Sequence, residues 1–319
     1  MMIACFEVQK EDMKFLKKEL PAGTFFTSRP LTLKTLPPAK LVNSIEILCI
    51  DIYSKVNAEV LKHFPKLRFI TTRSTGFDHI DIIACKKRKI SVSNVPAYAA
   101  ETVAEHAFAL LLSLSRGLSN KNKKLKTFSR EGFTAFDLQG KTLGIIGTGR
   151  IGLHLAHIAK GFHMKVLAYD VIKNESKAQE MNFHYIPLEQ LYKESDIISL
   201  HLPMLPETYH LLNARAFATM KPGVIILNTA RGDLIHTPSL VKALQTKKVK
   251  AAALDVLEDE ESLKADRPTK EHRFLFENPQ VLITPHIGYY STESMQRLLA
   301  TTVRNIQSFT RSNPEHVIS

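Results

Sequence analysis

Short apolar runs alternate with stretches of helical periodicity along most of the chain. In the first hundred residues the apolar runs predict strands over 3–8, 46–52, 67–72 and 90–94, with helical patterns over 12–20 and 57–63. This is the pattern of a small parallel α/β unit. A longer helical pattern over 101–118 places Ala104, Ala107, Phe108, Leu111 and Leu112 on one broad apolar surface. Glu101 and Glu105 favour its N-terminal end. Such a helix suits a contact between domains or subunits. The alternation resumes with strands expected over 142–146, 165–169, 184–186, 196–202, 224–228, 251–256 and 281–284. Helices are expected over 188–194, 214–220 and 238–245. A second, doubly wound sheet follows from this. Residues 291–309 read as one final helix that returns the chain to the first domain.

The most informative punctuation is Gly147-Thr148-Gly149-Arg150-Ile151-Gly152, at the junction of a predicted strand and a helix marked by Leu153, Ala156, Ile158 and Ala159. The spacing is that of a dinucleotide loop. Gly147 permits a tight turn, Gly149 lets a pyrophosphate approach the backbone, and Gly152 lets the helix lie close on the sheet. The N–H groups that open the helix, those of Arg150 and Ile151 among them, face the phosphates. Asp170 closes the next strand about 20 residues on, where a carboxylate accepts hydrogen bonds from a ribose and repels a 2′-phosphate. The loop therefore calls for NAD rather than NADP.

Composition narrows the rest. A chain of 319 residues accommodates one large or two ordinary domains, and 44% hydrophobic residues suffice for their cores. No apolar run approaches the roughly 18 residues of a membrane helix. The start MMIACFEV lacks the features of a signal peptide and reads as a first strand. Cys5, Cys49 and Cys85 are scattered, which suits buried thiols in a reducing cytoplasm and neither disulfides nor a metal site. The net charge of +12 is densest at 121–126 and at Lys86-Lys87-Arg88-Lys89. Neither run carries aromatics or a nucleic-acid motif, so both read as solvated faces, with no nucleic acid or membrane as partner.

Three ionisable residues follow the late strands. Arg231 ends 225–230, Glu260 follows 252–257 within the acidic run Glu258-Asp259-Glu260-Glu261, and His286 ends 281–285. In a parallel sheet all three fall on the carboxyl edge, where the glycine loop lies. A guanidinium there grips a carboxylate bidentately. A carboxylate against an imidazole favours the protonated ring, and an imidazolium is the acid that ketone reduction needs. Position alone leaves open which of the four acids is used. In the first unit, Arg73-Ser74-Thr75-Gly76-Phe77-Asp78 also follows a strand, and its small residues suit an anion or an ordinary turn.

In order along the chain stand Arg73-Ser74-Thr75-Gly76-Phe77-Asp78-His79-Ile80-Asp81, Val95-Pro96-Ala97-Tyr98, Thr102-Val103-Ala104-Glu105-His106-Ala107, the glycine loop with Asp170, and His201-Leu202-Pro203. Asn228-Thr229-Ala230-Arg231-Gly232, Leu254-Asp255-Val256 through Glu260, and Pro285-His286-Ile287-Gly288-Tyr289-Tyr290 complete the set. Together they resemble the D-isomer-specific 2-hydroxyacid dehydrogenases, most of all their D-lactate members. The resemblance implies a discontinuous, flavodoxin-like substrate domain (1–99 and 290–319) and a central Rossmann NAD-binding domain (100–289). It implies a cleft that closes over a small 2-keto or 2-hydroxy acid, and a homodimer. Arg231, Glu260 and His286 match the catalytic residues, which selects Glu260 from its run. Thr75 and Gly76 match the substrate-carboxylate loop, and Tyr98 and Tyr289 match side chains around the substrate. Asp255 matches a residue near the nicotinamide carboxamide, His201 and Pro203 the loop beside the adenosine. Thr102, Thr229 and Ala230 fall among the cofactor contacts. Ala99-Ala100, Phe77 and His236 depart from the usual pattern without touching the catalytic three. Other 2-keto acids, or an NAD-sensing binding protein of the same fold, stand as alternatives.

Overall fold

The computed structural model describes residues 1–118 and 135–318, so the basic run at 121–126 lies outside the described residues. The chain forms two compact units, Met1–Tyr98 with Ser291–Ser319, and Ala99–Tyr290.

The first unit is a five-stranded parallel sheet of β1 (Met2–Cys5), β2 (Phe25–Phe26), β3 (Ile45–Ile50), β4 (Phe69–Thr72) and β5 (Ser91–Ser93), in the order β2-β1-β3-β4-β5. This is the flavodoxin-like order. β1 is apolar throughout and β3 apolar but for Glu46, because both faces of the sheet are covered, whereas β4 and β5 also bury Thr71, Thr72 and Ser93. Ala4, Leu48, Ile50, Ile70 and Val92 pack into one core, while Ile3, Cys5, Ile47, Cys49 and Phe69 pack into the other. The second core is closed by Leu299, Val303 and Ile306 of the final helix, Thr292–Thr310, so the C-terminal segment belongs to this unit. Phe309 stacks on Phe69 at 4.4 Å between ring centroids.

The second unit is a seven-stranded parallel sheet. Its strands are β6 (Thr142–Ile146), β7 (Lys165–Tyr169), β8 (His184–Tyr185), β9 (Ile197–Leu200), β10 (Val224–Asn228), β11 (Val249–Leu254) and β12 (Val281–Ile283). The order β12-β11-β10-β9-β6-β7-β8 places the topological switch between β6 and β9. Ligands of such sheets bind outside the carboxyl ends of the strands at that switch. Here too the strands are buried on both sides, by Ile146, Ile198, Leu200, Ile226 and Leu254 in one cluster and Leu143, Ile145, Ile197, Leu227 and Ala253 in the other.

Some elements carry little apolar signal. The helix Glu175–Met181 buries only Ala178 and starts on an Asn174 side-chain cap, so polar capping chemistry specifies it rather than a stripe. The helix Lys270–Glu277 rests on a capping box between Thr269 and His272. β2 is a two-residue edge strand. The helix expected over 101–118 runs over Ala100–Ser115. The basic Lys86-Lys87-Arg88-Lys89 run is structural: Lys86 and Lys87 complete a helix C-terminus, and Arg88 donates to the carbonyls of Leu61 and Phe64. Among the described residues, no helix is long and apolar enough to cross a membrane, and no group of three or more His, Cys, Asp or Glu side chains could hold a metal ion.

Candidate active site

β6 ends in the glycine loop. Gly147 has φ +97°, and a side chain there would meet the His201 carbonyl oxygen at 2.5 Å, so only glycine fits between this turn and the loop after β9. The helix Arg150–Gly161 begins on Gly149 with no side-chain cap, which leaves its first-turn N–H groups open to an anion. Space over Gly149 is clear of other described groups within 4 Å. At the end of β7, Asp170 is anchored: its carboxylate accepts from the Thr148 N–H at 2.6 Å and from the Ile172 N–H at 3.0 Å.

His201 and Thr229 stand on the same carboxyl edge, after β9 and β10. His201 bonds Ser199 Oγ through Nε2 at 2.8 Å, while its buried Nδ1 has no protein partner among the described residues. Burial holds this imidazole down at about 4, so it is neutral at physiological pH. Thr229 Oγ1 is likewise buried and unpartnered. Buried polar atoms are normally satisfied, so these two, together with the clear space over Gly149, fit a polar ligand lying along the edge as a dinucleotide does. Pro203 lies in the His201 loop, Ala230 follows Thr229, and Thr102 sits in the first turn of the helix Ala100–Ser115.

The adjacent strands β10, β11 and β12 carry Arg231, Glu260 and His286. Asn228 pairs with Leu254, and Leu254 with Ile283, so the three strand ends are level. Arg231 sits in a tight turn: Asn228 Nδ2 donates to the Arg231 carbonyl at 2.8 Å, and the Ala230 N–H donates to Asn228 Oδ1 at 3.0 Å. Gly232 follows it, pressed against the backbone of Leu257 so closely that a Cβ would collide with that peptide. His286 Nδ1 lies 3.3 Å from Glu260 Oε2, both side chains about a quarter exposed at 24% and 26%. The structure thus distributes the acidic run, because Glu258 instead pairs with His210.

His286 occupies the left-handed region at φ +55°, a conformation costing roughly 1–2 kcal/mol for an L-residue. Asp255 holds it there. The His286 N–H donates to the Asp255 carbonyl at 2.8 Å. The Ile287 and Gly288 N–H groups and the Thr284 hydroxyl donate to the Asp255 carboxylate at 3.0, 2.8 and 2.5 Å. His106 Nε2 stands 3.4 Å from the same carboxylate. Burial pushes the carboxyl up, but these donors outweigh it and hold it below its usual range. Tyr289 lies edge-on to the His286 ring at 6.3 Å.

In the first unit, Arg73 is fully buried and donates to the carbonyls of Phe6 and Glu7 at 2.9 and 2.8 Å, fixing the start of the loop that follows β4. Thr75 Oγ1 donates to the Val95 carbonyl at 2.9 Å, and Asn94 Nδ2 to the Thr75 carbonyl at 2.8 Å. Among the described residues, the bonds that hold the loop run through side chains and the carbonyls of Thr75, Gly76 and Val95. Tyr98 is buried, and its carbonyl accepts from Arg297 Nε at 2.7 Å.

Residue patterns alone gave no task to His106, Ser199, His210, Glu258 or Thr284. His106 stands one helical turn after Thr102, and Glu258 two residues before Glu260. Those offsets are the only trace of their contacts in the sequence.

A glycine loop at the switch point, an anchored acid on the next strand and an imidazole–carboxylate pair on the same edge define a dinucleotide-binding redox enzyme. Residues 108–288 match the family model described as D-isomer specific 2-hydroxyacid dehydrogenase, NAD binding domain. The chain is 36% identical to D-lactate dehydrogenase of Escherichia coli (strain K12), over 97% of this chain and 96% of that one. It is 38% identical to hydroxypyruvate reductase of Blautia hydrogenotrophica, over 82% and 81%. The crystal structure of D-lactate dehydrogenase from Aquifex aeolicus complexed with NAD and lactic acid superimposes with a TM-score of 0.90 at 37% identity, covering 98% of this chain and 96% of that one. The chain belongs to the D-isomer specific 2-hydroxyacid dehydrogenase family. It is an oxidoreductase of D-2-hydroxy acids, and its cofactor is NAD.

Proposed function

We propose that the protein reduces a small 2-keto acid, pyruvate before others, to its D-2-hydroxy acid. The observation that carries the chemistry is the His286–Glu260 pair, 3.3 Å apart on the carboxyl edge that holds the glycine loop. Bound NADH supplies the hydride. His286 gives the proton to the substrate's carbonyl oxygen, and Glu260 stabilises the charged ring and fixes which nitrogen faces the substrate. Arg231 grips the carboxylate and polarises the neighbouring carbonyl. By the family resemblance, the backbone of Thr75 and Gly76 is the substrate-carboxylate loop, and Tyr98 and Tyr289 are side chains around the substrate. Asp170 takes the ribose hydroxyls, while Gly147, Gly149, Arg150, Ile151 and Gly152 take the pyrophosphate. His201, Pro203, Thr229, Ala230 and Thr102 complete the cofactor contacts, with Asp255 beside the carboxamide.

Pyruvate is favoured because D-lactate dehydrogenases of Escherichia coli and Aquifex aeolicus are matched over nearly their full length. The hydroxypyruvate reductase of Blautia hydrogenotrophica, at 38% identity, supports a second reading in which the acid carries a hydroxyl. We further propose a cytoplasmic homodimer. Three buried free thiols suit a reducing compartment, and the dimer rests on the family resemblance.

The test is loss of NADH absorbance with pyruvate, hydroxypyruvate, glyoxylate, phenylpyruvate and 2-ketoisocaproate, each repeated with His286→Ala. Fast turnover of pyruvate that collapses in the variant is expected. Faster turnover of another acid would transfer the assignment to it. NADH binding without turnover of any acid would refute the enzymatic reading and favour an NAD-sensing protein.

A further inference from the structure

A second imidazole–carboxylate pair stands behind the first. His210 Nε2 lies 2.5 Å from Glu258 Oε1, two residues before Glu260. The other carboxylate oxygen accepts the Thr237 N–H at 3.0 Å, and His272 Nε2 lies 2.9 Å from the Glu258 carbonyl. The His210 N–H donates to the Asp233 carbonyl at 2.8 Å, in the turn directly after Arg231. Gly232 packs on the Leu257–Glu258 peptide. Tyr209 stacks on the His210 ring at 3.8 Å, and the His236 ring lies 4.7 Å away. The loops after β9, β10 and β11 are therefore joined at one point. Only Asp259, in the left-handed region at φ +55°, separates that point from Glu260.

We propose that His210 and Glu258 are positioning residues for proton transfer: their pair anchors the turn that presents Glu260 to His286 and ties it to the turn bearing Arg231. This rests on the reading of Arg231, Glu260 and His286 as the catalytic groups. The geometry requires such an anchor. Glu260 opens a helix of five residues, Glu260–Lys264, too short to hold itself rigid. A carboxylate that must meet an imidazole at hydrogen-bond distance needs its backbone fixed from behind. Burial pushes the Glu258 carboxyl up, yet the bonds from Thr237 and His210 outweigh it and hold it below its usual range. It is thus an anion at working pH. Among the described side chains, the other ionisable groups facing the pair are Asp233, His236, His272 and Tyr209, none of them on the segment that carries Glu260.

The experiment compares wild type, His210→Ala, His210→Gln, Glu258→Gln and His286→Ala in keto-acid reduction. It records kcat, KM for NADH and for the acid, and Tm. For His210→Ala, kcat should fall roughly ten- to a hundredfold while KM for NADH stays within about twofold. His210→Gln, which keeps a donor for Glu258, should recover most of kcat. Glu258→Gln, of unchanged shape, should lower kcat in the same way with KM for NADH unmoved, even if His210→Ala folds poorly. A lowered Tm with unchanged kcat in both His210→Ala and Glu258→Gln would overturn the proposal, leaving the pair a structural brace. If His286→Ala matches wild type, the reading of the catalytic groups fails and takes the proposal with it. If His286→Ala is dead while the His210 and Glu258 variants keep full kcat, the proposal alone fails.

Discussion

The imidazole of His201 makes stability depend on pH in a way that can be calculated and isolated. Unfolded, it titrates near 6.5; in the fold, burial holds it at about 4. The ring is neutral in the native state over that window, while the unfolded chain takes up a proton. Stability is therefore fully present above pH 6.5 and falls as the pH drops toward 4. The linkage integral across the window is on the order of 3 kcal/mol. The contribution is specific because, among the described residues, Nδ1 has no protein partner and Nε2 meets the Ser199 hydroxyl, with no carboxylate there to offset the cost of charging the ring. Other groups titrate in the same range. Burial lifts the Asp51 carboxyl to about 6 against the pull of Arg73, and this acts with the opposite sign, gaining stability as the pH falls. Asp51 belongs to the other unit and cancels in a difference between proteins. The assay is urea unfolding of the cofactor-free protein followed by far-UV circular dichroism, since the chain has no tryptophan. Wild type and His201→Gln are compared from pH 7.5 to 4. The wild type should lose on the order of 3 kcal/mol more than the variant across the window. Parallel curves would refute the reasoning and place His201 in water.

Two shorter expectations follow from the same edge of the sheet. Asp170→Ala should shrink the preference for NADH over NADPH by roughly tenfold or more, because the charge that repels a 2′-phosphate is gone; kcat/KM for both cofactors measures it, and an unchanged ratio would remove Asp170 from the ribose. Gly232→Ala drives a methyl into the Leu257–Glu258 peptide, which should cost about 1–3 kcal/mol and lower kcat by prising the Arg231 turn from the segment carrying Glu260; thermal melting and turnover together check this, and a variant with wild-type Tm would show that the two loops yield freely.

The elements that were legible in the sequence are those whose signal is local. Val224–Asn228 and Leu188–Glu194 match the expected spans because an unbroken apolar run and a clean helical stripe each report burial directly. The glycine loop was legible because steric demand dictates residue type: Gly147 must turn at φ +97°, and a neighbouring carbonyl excludes any side chain. The parallel α/β class followed from alternation, and the charged residues after the late strands could be placed on one edge once the sheet was taken as parallel. The helix Glu175–Met181 was not legible, because its caps are polar and it buries a single alanine. Nor was the strand β2, whose two residues pair only because β1 lies beside them.

What tertiary structure decided is which polar groups meet. Nothing in Glu258-Asp259-Glu260-Glu261 orders those acids by chemistry, and only family resemblance singled out Glu260. In the fold, Glu258 turns to His210, 48 positions away, and Glu260 to His286, 26 positions away. Asp255 was expected from resemblance at the cofactor; the fold also makes it the clasp of the His286 loop, through bonds to residues about 30 positions on. The physical reason is range. Hydrophobic periodicity and backbone sterics act within a few residues and leave a trace in local order. A hydrogen bond between loops depends on level strand ends and on the angles of two turns, and no neighbouring residue encodes either.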